Sequence, residues 1–308
     1  MLDHMITIEG LSKRYGGFVA VDDVSFTCKA GSGTGFLGPT GAGKSTTMRI
    51  LTGLTPEDSG TAQIDGVRYS DIPNPSTKIG VLLDASAQHA GRTGREILMI
   101  SALTMGLPTK RVDEMLELVS LTPSESKRRV RNYSLGMRQR LGLANALMGD
   151  PEVLILDEPA NGLDPAGIHW MRGLLRSYAN RGGTVLLSSH LLNEIEVIAD
   201  EIVVIGQGKI VANGTKAELL STAGTFVKSL EPDDLLKALV TAGISAEPSG
   251  DAGLRTDSTA EQVGRAAAAA GVALVELRAA DGAGLEEMFL KLTEPTQRES
   301  INPEGVVA

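Results

Sequence analysis

The 308-residue sequence has almost no cysteine: Cys28 is the single one. That excludes an internal disulfide, leaves no thiolate cluster for zinc, and points to a reducing compartment. Cys28 itself reads as a small buried apolar residue. Long hydrophobic runs are also missing. The longest, such as "VLIL" and "IVVI", are strand-sized, nothing near the first residues resembles a secretory signal, and no segment is expected to cross a bilayer. Positive charge is in deficit, with 29 Lys and Arg against 38 Asp and Glu and a net charge of −9. No general nucleic-acid surface is therefore expected. The acidity is uneven, because from Ser221 onward 7 Lys and Arg face 14 Asp and Glu.

With 42% hydrophobic and 22% charged residues, the chain can bury a substantial core, and its length favours one large domain with a smaller companion. "MITIEGLSKRYGGFVAVDDVSFTC" alternates apolar and polar residues around a glycine pair and predicts a hairpin. "GTGFLGP" is a short strand running into "TGAGKSTTMRILTGL", where Met48, Leu51 and Leu54 share one helical face. Further strands are expected at "GTAQIDG", "KIGVLL", "EVLILDEP" and "GTVLLSS", and their alternation with helices favours a parallel α/β sheet. A helical insertion is expected at about residues 90–132. "EIVVIGQGKIVANG" predicts a hairpin closing a domain of residues 1–220. Residues 221–293 read as a small α+β domain, in which the alanine run is a packed helix. Residues 294–308 read as a disordered tail.

Gly38, Gly43, Lys44 and Ser45 satisfy G-x-x-x-x-G-K-[ST] between a strand and a helix. In such a loop, Gly38-Pro39-Thr40-Gly41-Ala42-Gly43 curls its backbone N–H groups around phosphates and Lys44 reaches the β and γ phosphates. Ser45 ligates Mg²⁺, and Thr46 follows in the first helical turn. "VLILDEP" delivers Asp157 to a strand end as a second Mg²⁺ ligand and places Glu158 beside the γ phosphate, where a carboxylate can deprotonate the attacking water. "LLSSH" ends another strand at His190, whose imidazole can bond the γ phosphate or the water. A second anion site is expected at "YSLGMRQRLGLA", where a helix begins next to Ser134 and Gly136.

Taken in order, "GPTGAGKST", "YSLGMRQR", "VLILDEP", "NGLD" and "SSH" resemble the ATP-binding cassette family over roughly residues 5–220. The resemblance implies a P-loop ATPase fold: a parallel sheet core, an antiparallel β subdomain and a helical insertion, followed by the small α+β domain. It implies ATP and Mg²⁺ as ligands, Glu158, His190 and Lys44 as catalytic groups, and Tyr15 as the adenine-stacking aromatic. It also implies head-to-tail pairing with a second cassette, an identical chain being expected. Ser134 and Gly136 then hold the partner's γ phosphate, and Asp164 of "NGLD" lies at the joint. "YSLGM" is similar to exporter ATPases of the bacitracin and daunorubicin resistance type. The expected role is to energise export through a separate transmembrane permease, peripheral on the cytoplasmic face of the membrane. The alternative is a cassette ATPase of translation or DNA repair. Where the family has a Gln near Mg²⁺ and the water, Asp84 occupies the matching place as a metal ligand, with Gln88 as the alternative register. "LVELRAADGAGLEEMFLKLT" resembles the accessory domain of bacterial drug-exporter ATPases.

Overall fold

A computed structural model describes residues 4–190, 195, 197–215, 218–219, 224–249 and 253–279. Contacts divide the chain into two compact units, Met1–Asn213 and Gly214–Ala308. The expected stretch "GLEEMFLKLT" and the tail at 294–308 lie outside the described residues.

The first unit contains two sheets. Strands β1 (His4–Tyr15) and β2 (Phe18–Lys29) form the hairpin around Gly16 and Gly17, and β4 (Ser59–Ile64) adds to β1, giving the antiparallel order β2-β1-β4. "GTAQIDG" therefore joins this sheet and not the parallel one. Half-buried alternation is what an antiparallel strand with one solvated face shows.

The second sheet has six strands in the order β5-β6-β7-β3-β8-β9. They are β3 (Gly33–Leu37), β5 (Ile79–Leu82), β6 (Val153–Leu156), β7 (Thr184–Ser189), β8 (Glu201–Gly206) and β9 (Lys209–Thr215). The pairs β5/β6, β6/β7, β7/β3 and β3/β8 are parallel. Every residue of β3, β6 and β7 is buried, as expected for central strands covered on both faces. The two sheets share one core, in which Phe26 of β2 meets Phe36 of β3 with ring centroids 5.1 Å apart. Ile8, Leu11, Met48, Leu51 and Leu186 complete it and are at most 1% exposed. Each such side chain contributes roughly 1.5–3 kcal/mol by leaving water.

Helix α1 (Lys44–Leu51) follows β3, and the helical insertion consists of α2 (Gly94–Met105), α3 (Lys110–Leu118) and α4 (Pro123–Ser126). Its starts are written locally. Thr93 with Glu96, and Thr122 with Glu125, make reciprocal capping boxes, and Gly106 ends α2 at φ 75°. Helix α5 (Leu135–Ala146) precedes β6, and α6 (Pro165–Asn180) separates β6 from β7.

In the second unit the order is β10 (Thr225–Ser229), α7 (Pro232–Thr241), β11 (Glu247–Ser249), β12 (Gly253–Thr256), α8 (Ala260–Ala269) and β13 (Leu274–Ala279). The sheet order β11-β12-β10-β13 makes this a split βαβ plait. Its core gathers Val227, Leu235, Leu239, Leu254, Val263 and Ala267. The alanine run is α8, capped by Thr259 and Gln262.

Candidate active site

Parallel strands deliver their carboxyl ends to one edge of the sheet, where ligands of open α/β folds bind. In register, Leu37 pairs with Ser189 and Leu156 with Leu187. The loop after β3, Asp157 and Glu158 after β6, and His190 after β7 therefore come together.

The loop from Gly38 to Gly43 needs its three glycines for two reasons. A Cβ on Gly38 would lie 2.5 Å from the Ile205 carbonyl oxygen, one on Gly43 would lie 2.5 Å from that of Ala20, and Gly41 sits at φ 82° with open space around it. The first two allow close backbone packing and the third supplies a left-handed turn. Pro39 accepts from the Ala42 N–H at 3.1 Å. Thr40, Gly41 and Ser45 are exposed, Thr46 is half-buried, and Ala42 is buried. Helix α1 begins at Lys44, so its first N–H groups have no intrahelical acceptor.

Lys44 is 5% exposed, and its Nζ donates to the carbonyls of Gly38 at 2.6 Å and Pro39 at 3.2 Å. Its ammonium lies 3.4 Å from Glu158 Oε1. A buried cation is tolerable only when paired and hydrogen-bonded. The other Glu158 oxygen, Oε2, is 2.7 Å from His190 Nδ1. Asp157 is 9% exposed, and its Oδ1 accepts from the Ser188 hydroxyl.

Glu158 adopts φ 48°, a left-handed conformation costing a non-glycine residue about 1–2 kcal/mol. Ser188 Oγ accepts its N–H at 2.9 Å. Its carbonyl accepts from Gln139 Nε2 at 3.1 Å and from the Asn161 N–H at 3.1 Å. Ser188 and Gln139 lie inside "SSH" and "YSLGMRQR", but those motifs give neither of them a role. The signal for Ser188 is the first hydroxyl after the apolar run "VLL", one step before "SH".

The expected second anion site lies at the start of α5. Ser134 caps it, accepting the Met137 N–H at 3.2 Å on Oγ and keeping its own O–H free to donate. Tyr133 anchors this turn: its hydroxyl donates to the Glu125 carbonyl at 2.8 Å, and burial pushes its phenol above the usual range. Gly136 is packed so tightly that a Cβ would come 2.8 Å from the Gly162 carbonyl oxygen. Ser134 is exposed, and the neighbouring Leu135 is 47% exposed. Asp164, also exposed, caps α6 by accepting the Gly167 N–H at 2.9 Å.

Tyr15 stands at the hairpin tip, 51% exposed, with the Lys13 ammonium 5.6 Å from its ring centre. Asp84 is exposed two residues beyond β5, its Oδ1 accepting the Ser86 N–H at 2.7 Å. Gln88, half-buried, donates from Nε2 to the Arg138 carbonyl at 3.2 Å, and its Oε1 is buried without a hydrogen-bond partner among the described residues. Among the described residues, no cluster of three or more His, Cys, Asp or Glu forms a ready-made metal site.

A glycine loop closing on a helix start, a buried lysine, and a paired carboxylate and histidine on parallel strand ends define a P-loop ATPase of the ATP-binding cassette type. The model of the ABC transporter family matches residues 21–161. The bacitracin transport ATP-binding protein BcrA of Bacillus licheniformis is 44% identical over 209 residues, 67% of this chain and 68% of that protein. The linearmycin resistance ATP-binding protein LnrL of Bacillus subtilis is 38% identical, over 71% of this chain and 72% of its own length. A solved ATP-binding subunit of an ABC transporter is 28% identical and superposes with a TM-score of 0.64, covering 70% of this chain and 91% of that one. The chain belongs to the ATP-binding proteins of ABC transporters, and it binds and hydrolyses ATP to energise transport. Among the described residues no helix is long and apolar enough to cross a membrane.

Proposed function

We propose that this chain energises an exporter of antibiotics or other hydrophobic compounds, working through a separate transmembrane permease on the cytoplasmic face of the membrane. The cargo class follows the likeness to the bacitracin and linearmycin proteins. The observation that carries the catalytic part is Glu158, held between Lys44 Nζ at 3.4 Å and His190 Nδ1 at 2.7 Å.

In this reading the N–H groups from Gly41 to Thr46 and the Lys44 ammonium hold the phosphate oxygens, while Tyr15 stacks on adenine. Glu158 orients the attacking water and takes its proton, and His190 fixes the carboxylate and senses the γ phosphate. Ser45, Asp157 and Asp84 would hold Mg²⁺, which when bound neutralises charge on the phosphate oxygens. The loop fits a triphosphate, because its buried cation and its helix start both favour anions.

Ser134 and Gly136 open on the surface beside the exposed Leu135, which supports a role in trans. Each would close on ATP held by a second copy, with Asp164 at the joint, so that ATP joins the pair and hydrolysis releases it. The permease would dock between the sheet and the helical insertion, near Asp84 to Arg95. The unit that begins at residue 214 would act as an accessory domain for dimer contact or regulation.

The deciding experiment is gentle solubilisation of membranes from the native cell and identification of what accompanies the tagged chain. Recovery with one multispanning protein is expected. Recovery from the cytosol with ribosomes or DNA-repair proteins would leave the ATPase standing and remove the transport reading.

A further inference from the structure

Four side chains hold the carboxylate of Glu158 or the turn that carries it, and two of them, His190 and Lys44, already have a role. The other two grip the backbone. Ser188 lies on β7, is fully buried, and uses its single hydroxyl twice: it donates to Asp157 Oδ1 and accepts the Glu158 N–H at 2.9 Å. Its polarity is thereby fixed, since a hydroxyl has one hydrogen and that hydrogen is committed to the carboxylate. Gln139 lies on α5, is 4% exposed, and donates from Nε2 to the Glu158 carbonyl at 3.1 Å. The amide can be placed only this way round, because the reverse would set two oxygens face to face. Its own Oε1 is buried without a hydrogen-bond partner among the described residues, so the amide is retained although only half of it is satisfied.

We infer that Ser188 and Gln139 are positioning residues for hydrolysis, forming a two-sided clamp on the peptide groups of Glu158 that keeps its carboxylate aimed between Lys44 and His190. This rests on Glu158 being the general base. Glu158 stands at φ 48°, a conformation that surrounding structure must hold in place. The clamp supplies that hold from two different elements. One of them is the helix whose first turn carries Ser134 and Gly136, so a shift of α5 when that turn meets phosphate is passed directly to the base. Proximity alone tolerates little misplacement, and a displacement of about 1 Å can cost ~100-fold in rate.

The test is a double-mutant cycle on the full chain, read by single-turnover ATP hydrolysis, ATP binding and thermal melting. Ser188→Ala and Gln139→Met, the latter close in shape but without the amide, are each expected to lower kcat by about 10-fold with KM for ATP within about 2-fold. Ser188→Thr restores most of the rate. In a Glu158→Gln background Gln139→Met has no further effect and Ser188→Ala a smaller one than in the parent, because groups that act through one residue are non-additive, while the Ser188 hydroxyl also holds Asp157. Wild-type kcat in both single variants overturns the clamp. So does an equal fold-loss in the Glu158→Gln background, which would mark a merely structural role. Wild-type hydrolysis by Glu158→Gln alone is a separate outcome, removing the base assignment.

Discussion

His190 Nδ1 lies 2.7 Å from Glu158 Oε2, a contact that uses one ring nitrogen and not the other. The carboxylate is thus oriented by the histidine on one oxygen and by Lys44, at 3.4 Å, on the other. Replacing it by the isosteric amide removes the base while keeping the shape. Glu158→Gln is expected to lower turnover by at least about 100-fold, roughly 2.7 kcal/mol, with ATP affinity preserved. Single-turnover hydrolysis and equilibrium ATP binding check this, and substantial hydrolysis by the variant would refute the role.

If the histidine works through the carboxylate as well as on phosphate, its removal cannot add fully to that loss. His190→Ala is expected to reduce kcat by about 10² to 10³-fold, and the double variant with Glu158→Gln to be no slower than about 3-fold below the slower single one. Full additivity in single-turnover rates would show that the two groups act independently.

Gly136 offers a test that separates stability from assembly. Alanine is the better helix former by about 1 kcal/mol, but a Cβ at Gly136 would sit 2.8 Å from the Gly162 carbonyl oxygen and 3.7 Å from Leu163 Cδ2. The two effects oppose one another in the monomer, so Gly136→Ala is expected to melt within a few degrees of the parent. Its surface beside Ser134 is nevertheless displaced. Gel filtration with ATP in the Glu158→Gln background is expected to show dimer for the parent and monomer for the added Gly136→Ala. A retained dimer would argue against the trans contact.

What could be read in the sequence was whatever is written locally. The phosphate loop, the buried run before Asp157 and the strand ending at His190 each lie within ten residues, and capping chemistry at Thr93, Ser134 and Asp164 fixes helix starts in the same way. What could not be read depends on strand order. Nothing local says that β7 lies between β6 and β3, and only that order brings Ser188 against Asp157 and Glu158, about thirty positions away. Gln88 is similar: only the fold shows its Nε2 donating to the Arg138 carbonyl across fifty positions. The assignment of "GTAQIDG" to the antiparallel sheet, and the plait of the second unit, are likewise matters of long-range pairing.

Asp84 makes an electrostatic prediction. Its Oδ1 is engaged by the Ser86 N–H at 2.7 Å and its side chain is exposed, so the second oxygen can turn toward a metal. An anion near phosphate attracts Mg²⁺ but repels the triphosphate when the metal is absent, whereas a neutral amide does only the weaker version of the first. ATPase activity of the parent is therefore expected to rise more steeply with Mg²⁺ than that of Asp84→Gln. Superimposable titrations would exclude Asp84 from the metal's surroundings.

Cys28 reports on the core where the two sheets of the first unit meet. It is fully buried in that cluster, and burial pushes its thiol up to about 12. In the unfolded chain a thiol ionises near 8.5. Between those values the native state holds a proton that the unfolded state has lost, so the free energy of unfolding falls as pH rises. The contribution is fully present below about pH 8.5 and disappears progressively toward 12. Two measurements follow. Iodoacetamide at pH 8 should leave the native chain unlabelled and modify it only as urea unfolds the first unit. The urea midpoint should also fall less steeply above pH 9 in Cys28→Ala than in the parent, because alanine has no proton to lose. Rapid labelling without urea would mean that β2 opens locally, and that the core under the phosphate loop is less tightly closed than its packing implies.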